Sequence, residues 1–465
     1  MMAGIPVLNS LPGAAQTIYL DFNGDFLAQW NRTDSNQTYT NVNVGVFNLD
    51  NNLAIGDAES AAIQKIWQAV ADDYAPFNVN VTTVDPGSFA NGQALRIVMA
   101  GETSATLRTS AGRTFNMSGT VFIGDNNGNA VDTSGYSAIS SYSNNEPNTV
   151  YVFARYINTW GTTDSEGRFR DLQYVMATTA SHEAGHAFGL VHHGNYDVGS
   201  NITTPIMGSN TQGDRSVWSV YMDGSTQVNS LTVLTNTFGA RADDYSSSYG
   251  SAPNFPLSYN VIRGYSGSVT GIVGLNGDTD LFRINVSSAS TYNFNLTTPA
   301  FGNLDAKLIL YRIHEIPLFG YYYENIASAD PGISASNPFS GLGASMSLTL
   351  QPGIYGIVVQ SHGSYGDLGQ YTLKVSQPGI VVIDSGITFT AEYATANPTT
   401  TTPTKTTSTS VGSTKLMGGA GNMTLGTKVL LLPDAAFVAP TIEPVKALSK
   451  LDKQRVLNDL FAKWE

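Results

Sequence analysis

Apolar residues recur at helical spacing in two stretches of the first half of the chain. Ile63, Ile66, Trp67, Val70 and Tyr74 fall at i, i+3, i+4, i+7 and i+11, which predicts an amphipathic helix ending before Pro76. Leu172, Val175, Met176 and Thr179 share one face of a second helix, over 172–188, with Gly189 as its stop. Around these helices, residues 18–22, 95–99, 121–123 and 150–153 and the alternation Phe77, Val79, Val81 predict strands. Helix and strand signals mixed in this way over residues 16–250 predict an α/β (α+β) domain, preceded by an N-terminal segment, 1–15.

The helical period then vanishes. Between 258 and 378, short alternating runs at 282–286, 292–296, 308–311, 346–350, 354–359 and 371–375 are separated by turns rich in Gly, Asn, Asp and Pro. Such spacing predicts an all-β antiparallel sandwich, read here as a separate domain. Residues 379–414 are an extended region that includes a Thr/Ser/Pro linker at 397–413, too polar to bury a core. The tail, 415–465, ends in a predicted amphipathic helix, with Ser449 and Asp452 as an N-cap pair and Val456, Leu457, Leu460, Phe461 and Trp464 along one side. The chain is thus expected to be multidomain, as its 465 residues also suggest at about 150 residues per domain.

Composition bears mainly on the chemistry. With 23 Lys and Arg against 36 Asp and Glu, the net charge of -13 has the wrong sign for binding a phosphate backbone, so no nucleic-acid partner is expected. No run of about 18 apolar residues occurs, so no membrane span is expected, and the N-terminus shows no secretory leader. A monomer is the default. The absence of cysteine excludes disulfides, thiolate metal sites, cysteine nucleophiles and a cysteine latch. Any metal must therefore be held by His, Asp, Glu or backbone oxygen.

Four of the six histidines, His182, His186, His192 and His193, crowd into the segment SHEAGHAFGLVHH. On a helix His182 and His186 are i and i+4, so both rings project from one face and can bind a single ion. Glu183 lies beside that ion without being needed as a ligand, where a carboxylate can take a proton from activated water. An unbroken helix would carry His192 away along its axis, but Gly189 can adopt a positive φ and turn the chain back. The chain's composition yields this full spacing by chance in roughly two chains per million of its length. A Zn²⁺ ion held by His182, His186 and His192, with Glu183 as general base, is the expected chemistry.

At this point the sequence resembles a family, the metzincin clan of zinc metalloproteases, whose motif H-E-x-x-H-x-x-G-x-x-H is matched by HEAGHAFGLVH. The clan carries a methionine-containing turn beneath the metal, and the resemblance implies that role for Met207 in TTPIMGSN, fifteen residues after His192. Upstream, IYLDFNG and VADDYAPFNVNVTT resemble secreted bacterial members of the clan. The segments GDTDLFRINV, NLDAKLILY, QPGIYGIVVQ and GDLGQYTLKV resemble the bacterial pre-peptidase C-terminal domain. These resemblances imply a secreted zinc endopeptidase acting on protein or peptide substrates, which lie extended beside an edge strand for which residues 136–143 offer either an edge or a loop. The residue after the third ligand, a position that helps define subfamilies, is His193, which stays unassigned, and Ser209 departs from groups that place a tyrosine two residues beyond the turn methionine. Two alternatives remain: an inactive, protease-like binding or adhesion protein, and a zinc hydrolase of non-peptide amides. Under the leading reading, removal of 258–378 leaves cleavage of small peptides intact.

Asn276, Asp278 and Asp280 in NGDTD put oxygen side chains at alternate positions, a possible Ca²⁺ site, and turn chemistry accounts for the same residues without an ion. GDNNGN at 124–129 has a similar look without the downstream glutamate of an EF-hand loop. His314 and His362 carry no partner pattern.

Overall fold

The computed structural model describes residues 4–32, 35–50, 52–163, 171–192, 203–208, 215–223, 226–260, 264–274, 277–317, 320–333, 339–377, 389–391 and 423–425. The protein is mostly β, with several antiparallel sheets, and divides into two compact units, Met1–Gly379 and Ile380–Glu465.

The first unit opens with β1 (Thr17–Asp21), β2 (Asp25–Arg32), β3 (Gln37–Val44), α1 (Asp57–Asp73), β4 (Asn80–Thr82), β5 (Ala94–Met99), β6 (Thr103–Arg108), β7 (Thr114–Gly119), β8 (Gly135–Tyr136), β9 (Thr149–Val152), α2 (Ala154–Ile157) and α3 (Leu172–Ala187). Strands β4, β1, β5 and β9 lie parallel in that order, and β8 closes the row antiparallel to β9. Both faces of this sheet are covered, which is why its strands read as nearly continuous apolar runs. Side chains alternate between the faces. Leu95, Ile97, Met99, Val150 and Val152 join α1 and α3 in one core, whereas Val98, Tyr151 and Phe153 join Tyr39, Val42, Leu107 and Met117 of the antiparallel sheet β2-β3-β6-β7 in another. Residues 121–123, expected as a strand, are buried but form no strand; the Ile123 carbonyl accepts from the Val131 N–H at 2.8 Å, and the adjacent Gly124 makes one isolated bridge with Ala130.

Helix α1 starts where Glu59 accepts a hydrogen bond from the Gly56 N–H at 3.1 Å, and it turns Ile63, Ile66 and Val70 inward. Helix α3 starts at Asp171, whose carboxylate accepts from the N–H groups of Gln173 and Tyr174. It is buried on every side from Tyr174 onward, so the single apolar face read from the sequence understates its enclosure.

The chain continues through β10 (Thr203–Pro205), β11 (Arg215–Val217), β12 (Val220–Asp223), β13 (Thr226–Asn229) and α4 (Ser230–Phe238). Then come β14 (Ser258–Asn260), β15 (Gly264–Val273), β16 (Thr279–Val286), β17 (Ser290–Thr297), β18 (Ala306–Ile316), β19 (Gly320–Ala329), β20 (Ala344–Leu350), β21 (Gly353–Ser361) and β22 (Gly369–Gln377). They form two antiparallel sheets, β14-β15-β22-β17-β20 and β16-β21-β18-β19. All six runs expected from the sequence fall within these strands. The second unit, taken alone, shows β23 (Phe389–Ala391) paired antiparallel with β24 (Met423–Leu425). The Thr/Ser/Pro linker and the predicted tail helix lie outside the described residues.

The regions 16–250 and 258–378, separable on the sequence, pack within one compact unit and share one apolar core that runs from Ile18 to Val375. A buried polar network crosses between them. Asp72 accepts from the N–H groups of Asn303 (2.7 Å) and Gln370 (2.9 Å), and Asp73 accepts from the Asn303 side chain (2.6 Å) and the Ser181 hydroxyl. Arg215, 1% exposed, pairs with Asp367 and donates to the Asn303 carbonyl.

Burial pushes the carboxyls of this interface upward, Asp72 and Asp305 to about 6 and Asp73 to about 7, from an ordinary 3.8. Each therefore binds its proton more tightly folded than unfolded, so their stabilising contribution is full below about pH 4 and lost as pH rises through 6 to 7. Calorimetry in chelator is expected to show the unfolding midpoint falling between pH 5 and pH 7.5, with a smaller fall for Asp73→Asn. A midpoint that rises across that window contradicts this assignment.

Candidate metal centre

Helix α3 presents His182 and His186 one turn apart. The Nδ1 of His182 lies 2.7 Å from the Ile206 carbonyl and that of His186 lies 2.7 Å from the Leu190 carbonyl. A carbonyl oxygen only accepts, so both Nδ1 atoms carry the proton, and in the neutral rings each Nε2 presents a lone pair. Burial disfavours the charged form of two of the rings: His186 is lowered to about 4, against the opposing pull of its Leu190 hydrogen bond, and His192 is lowered by the same cause.

The chain leaves α3 as the sequence spacing requires. Gly189 has φ +97°, its N–H bonds the His186 carbonyl and the Leu190 N–H bonds the Gly185 carbonyl. This turn brings His192 back, with its Nε2 at 2.9 Å from that of His182 and 3.1 Å from that of His186. Nitrogens sharing one tetrahedral zinc at about 2.0–2.1 Å stand about 3.3–3.4 Å apart, so the three converge nearly at that spacing. The Nε2 lone pairs of His182 and His186 both face the His192 Nε2, which meets them with its own proton or, when that proton sits on Nδ1, with a third lone pair open to a cation. The donor set therefore fits a zinc ion.

Glu183 is 7% exposed and is pushed up to about 8 by burial. It lies against β8, where Gly135 leaves it room: a Cβ on Gly135 would sit 2.5 Å from its Oε1 and 2.6 Å from its Cγ. Gly185, between the two helical histidines, does the same for Met207, whose sulfur would lie 2.4 Å from a Cβ there. Met207 is fully buried in a tight turn closed by the Gly208 N–H on the Pro205 carbonyl, and the neighbouring Ile206 carbonyl is the one that holds His182. Neither glycine's role is visible in local sequence. Gly135 has no helical or strand periodicity to mark it, and Gly185 occupies an unconstrained position of the motif.

A cavity of about 720 Å³ opens over the three histidines and Glu183, walled by Asp132, Tyr136, Tyr156, Trp160 and Thr179. Strand β8 is its edge. Of residues 136–143, open on the sequence to either an edge or a loop, only Tyr136 is strand, in β8 with Gly135, and the following turns cap α3, through Ser140 N–H on the His186 carbonyl and Tyr142 N–H on the Ala187 carbonyl. His193 and Ser209 lie outside the described residues. His314 and His362 pair with Glu324 and Asp330 in the sandwich, away from the histidine triad.

The expected oxygen site is rearranged. Asp278 and Asp280 come together with Asp243, which the sequence reading missed because it lies 35 residues upstream of Asp278, while Asn276 lies outside the described residues. At GDNNGN, Asp125 accepts from the N–H groups of Asn127 and Asn129 and from the Asn129 side chain, so turn hydrogen bonding alone accounts for that loop. No helix among the described residues is long and apolar enough to cross a membrane.

No protein-family model and no curated protein matches the chain. Among solved structures, it is similar to the pre-peptidase C-terminal domain of a collagenase from Bacillus anthracis, at 17% identity over 29% of this chain and 98% of that one, with a TM-score of 0.18. It is also similar to PliG, a periplasmic inhibitor of g-type lysozyme. The Aeromonas hydrophila form gives 16% identity, 27% and 97% coverage and a TM-score of 0.19, and the Salmonella Typhimurium form gives 11%, 27%, 97% and 0.16.

Proposed function

We propose that the protein is a zinc-dependent endopeptidase. The observation that carries this reading is the convergence of three ring nitrogens, from His182, His186 and His192, beside the buried carboxyl of Glu183 at the floor of an open cleft. Zinc in such a site is a Lewis acid that polarises a carbonyl and brings the pKa of water to about 7. The protein's own residues do the rest. Hydrogen bonds from His182 and His186 to backbone carbonyls fix both the tautomer and the aim of the rings. Glu183 takes the proton of the attacking water and returns it to the leaving amine. An extended peptide fits beside β8 by adding to the sheet edge, which favours unfolded or strand-like substrates. A secreted location belongs to the same proposal and rests on the sequence resemblance alone.

Hydrolysis of casein tests the reading. The purified chain is expected to cleave it, to lose activity when stripped by chelator and to regain it with one equivalent of zinc. A chain that binds zinc one to one and cleaves nothing contradicts an endopeptidase and leaves a binding protein.

Gly135→Ala is expected to shift the Glu183 carboxyl off line and lower turnover by about 10²-fold, the scale for a misplacement of roughly 1 Å. Zinc affinity should be unchanged, which a competition titration measures. A weakened affinity instead would place Gly135 in support of the histidines.

A further inference from the structure

We infer that the outer face of the sheet β16-β21-β18-β19 is a carbohydrate-binding surface, on which Tyr249, Tyr321 and Tyr323 stack against a neutral polysaccharide chain. It does not rest on the zinc reading. Side chains two apart on a strand share a face, so Tyr321 and Tyr323 of the edge strand β19 point one way and Tyr322 the other. Tyr323 lies opposite Ile313 of β18 and Tyr321 opposite Glu315, whereas Tyr322 meets the ring of His314. Leu308 and Leu310 turn into the shared core, so Ile313 and Glu315, with the tyrosines across from them, stand on the outer face. Phe282 and Ile284 of β16 likewise turn inward and leave Arg283 outside. Tyr249, from the segment between α4 and β14, lies over the same face. Its ring centre is 4.3 Å from that of Tyr321, and the Arg283 guanidinium carbon is 5.3 Å from it.

Packing explains part of this. Tyr323 helps to cover its cross-strand neighbour Ile313, which is 6% exposed. It does not explain the rest. Tyr321 and Tyr323 stay 44% and 42% exposed, and the hydroxyls of Tyr249, Tyr321 and Tyr323 bond no other group among the described residues. The Tyr323 phenol is raised above its ordinary value first by burial and then by the hydroxyls of Tyr249 and Tyr321, which gathers the three at one place. Arg283 has no hydrogen bond or ion pair among the described residues, and its Nε is buried without a partner. The charge balance selects the ligand. Arg283 at one end of the row and the exposed Glu315 beside Tyr321 at the other cancel, which favours neither an acidic nor a basic polymer. Together they supply donors and acceptors for sugar hydroxyls, and the rings between them supply flat faces for the C–H side of a sugar. Area argues against a folded partner. At about 150–250 Å² per aromatic side chain, the exposed parts of Tyr321 and Tyr323 offer about 200 Å², against about 800 Å² per partner in a stable protein interface. An extended peptide would take the unpaired edge of β19 instead, and its hold would not depend on rings that stand on the sheet face.

Affinity electrophoresis of the full chain tests the surface. The gels hold hydroxyethyl cellulose, xylan, galactomannan or dextran, with alginate as the acidic control and gelatin, kept intact by a zinc chelator, as the protein control. Retardation is expected in at least one neutral polysaccharide. The double variant Tyr321→Ala, Tyr323→Ala should weaken that binding about tenfold or more, as two stacking rings are lost. Arg283→Gln should weaken it as well, whereas Tyr322→Ala, on the other face, should leave it unchanged. Tyr321→Ala alone, at an exposed position, keeps the test valid if the double variant fails to fold, and it too should weaken binding. No retardation in any neutral polysaccharide overturns the surface, as does retardation that survives loss of the rings. Retardation by alginate or gelatin that disappears with the rings would overturn the ligand class. None of these readouts uses hydrolysis, so the outcome is separate from that of the protease assay.

Discussion

Glu183→Gln is expected to lower casein hydrolysis by about 10³- to 10⁴-fold, the upper range for loss of a positioned general base, with zinc still bound one to one. The amide fills the same space against Gly135 and cannot accept the proton. It is not a ligand, so the three histidine nitrogens keep their convergence. The two quantities must be measured together. Loss of zinc along with activity would make Glu183 a support of the metal, and hydrolysis that survives would move the base elsewhere in the cleft.

The second large effect concerns the sandwich. A chain lacking residues 258–378 is expected not to fold into soluble, zinc-binding protein, contrary to what the sequence alone suggests. Removing the sandwich bares the apolar core it shares with α1 and α3, and it takes Asn303 and Gln370 from Asp72, Asn303 from Asp73, and Asp367 and the Asn303 carbonyl from Arg215. Asp73 also holds the hydroxyl of Ser181, the residue before His182, so the loss reaches the metal centre directly. Arg215→Met tests the same interface in the intact chain. It leaves Asp367 as a buried charge without its partner and is expected to cost about 3–5 kcal/mol in chemical unfolding. A soluble truncated chain with full zinc affinity would show that the two regions fold independently.

How much of this was legible in the sequence depended on whether the cause was local. Helices α1 and α3 were marked by their apolar period and by Pro76 and Gly189, and the triad by helix pitch plus one glycine, so both could be read from within a dozen residues. Strands β1, β5 and β9 stood out because burial on both faces made them largely apolar. By contrast, β2 and β3 carry polar residues such as Gln29, Asn31, Thr38 and Asn43 among their apolar ones, and β19 exposes Tyr321, Tyr322 and Tyr323 on an edge, so neither shows a run that signals a strand. Strand β15 lies between β14 and β22, and its run is broken by Gly267 and Gly271, where a Cβ would collide with the Pro256 carbonyl and the Tyr371 hydroxyl. Gly135, Gly185 and Asp243 owe their roles to side chains that the fold brings from 48, 22 and 35 or more residues away, a relation no local pattern encodes. The apolar core that joins the two regions was not legible, because a shift in periodicity marks a change of architecture and does not reveal a shared core.

X-ray absorption at the zinc edge of the zinc-loaded protein tests the central claim most directly. Three imidazole nitrogens and one oxygen at about 2.0–2.1 Å, with one nitrogen lost in His192→Ala, is the result expected of a site built from His182, His186 and His192 with a position left for water. A shell made of carboxylate oxygens, or one that is unchanged by His192→Ala, would contradict it.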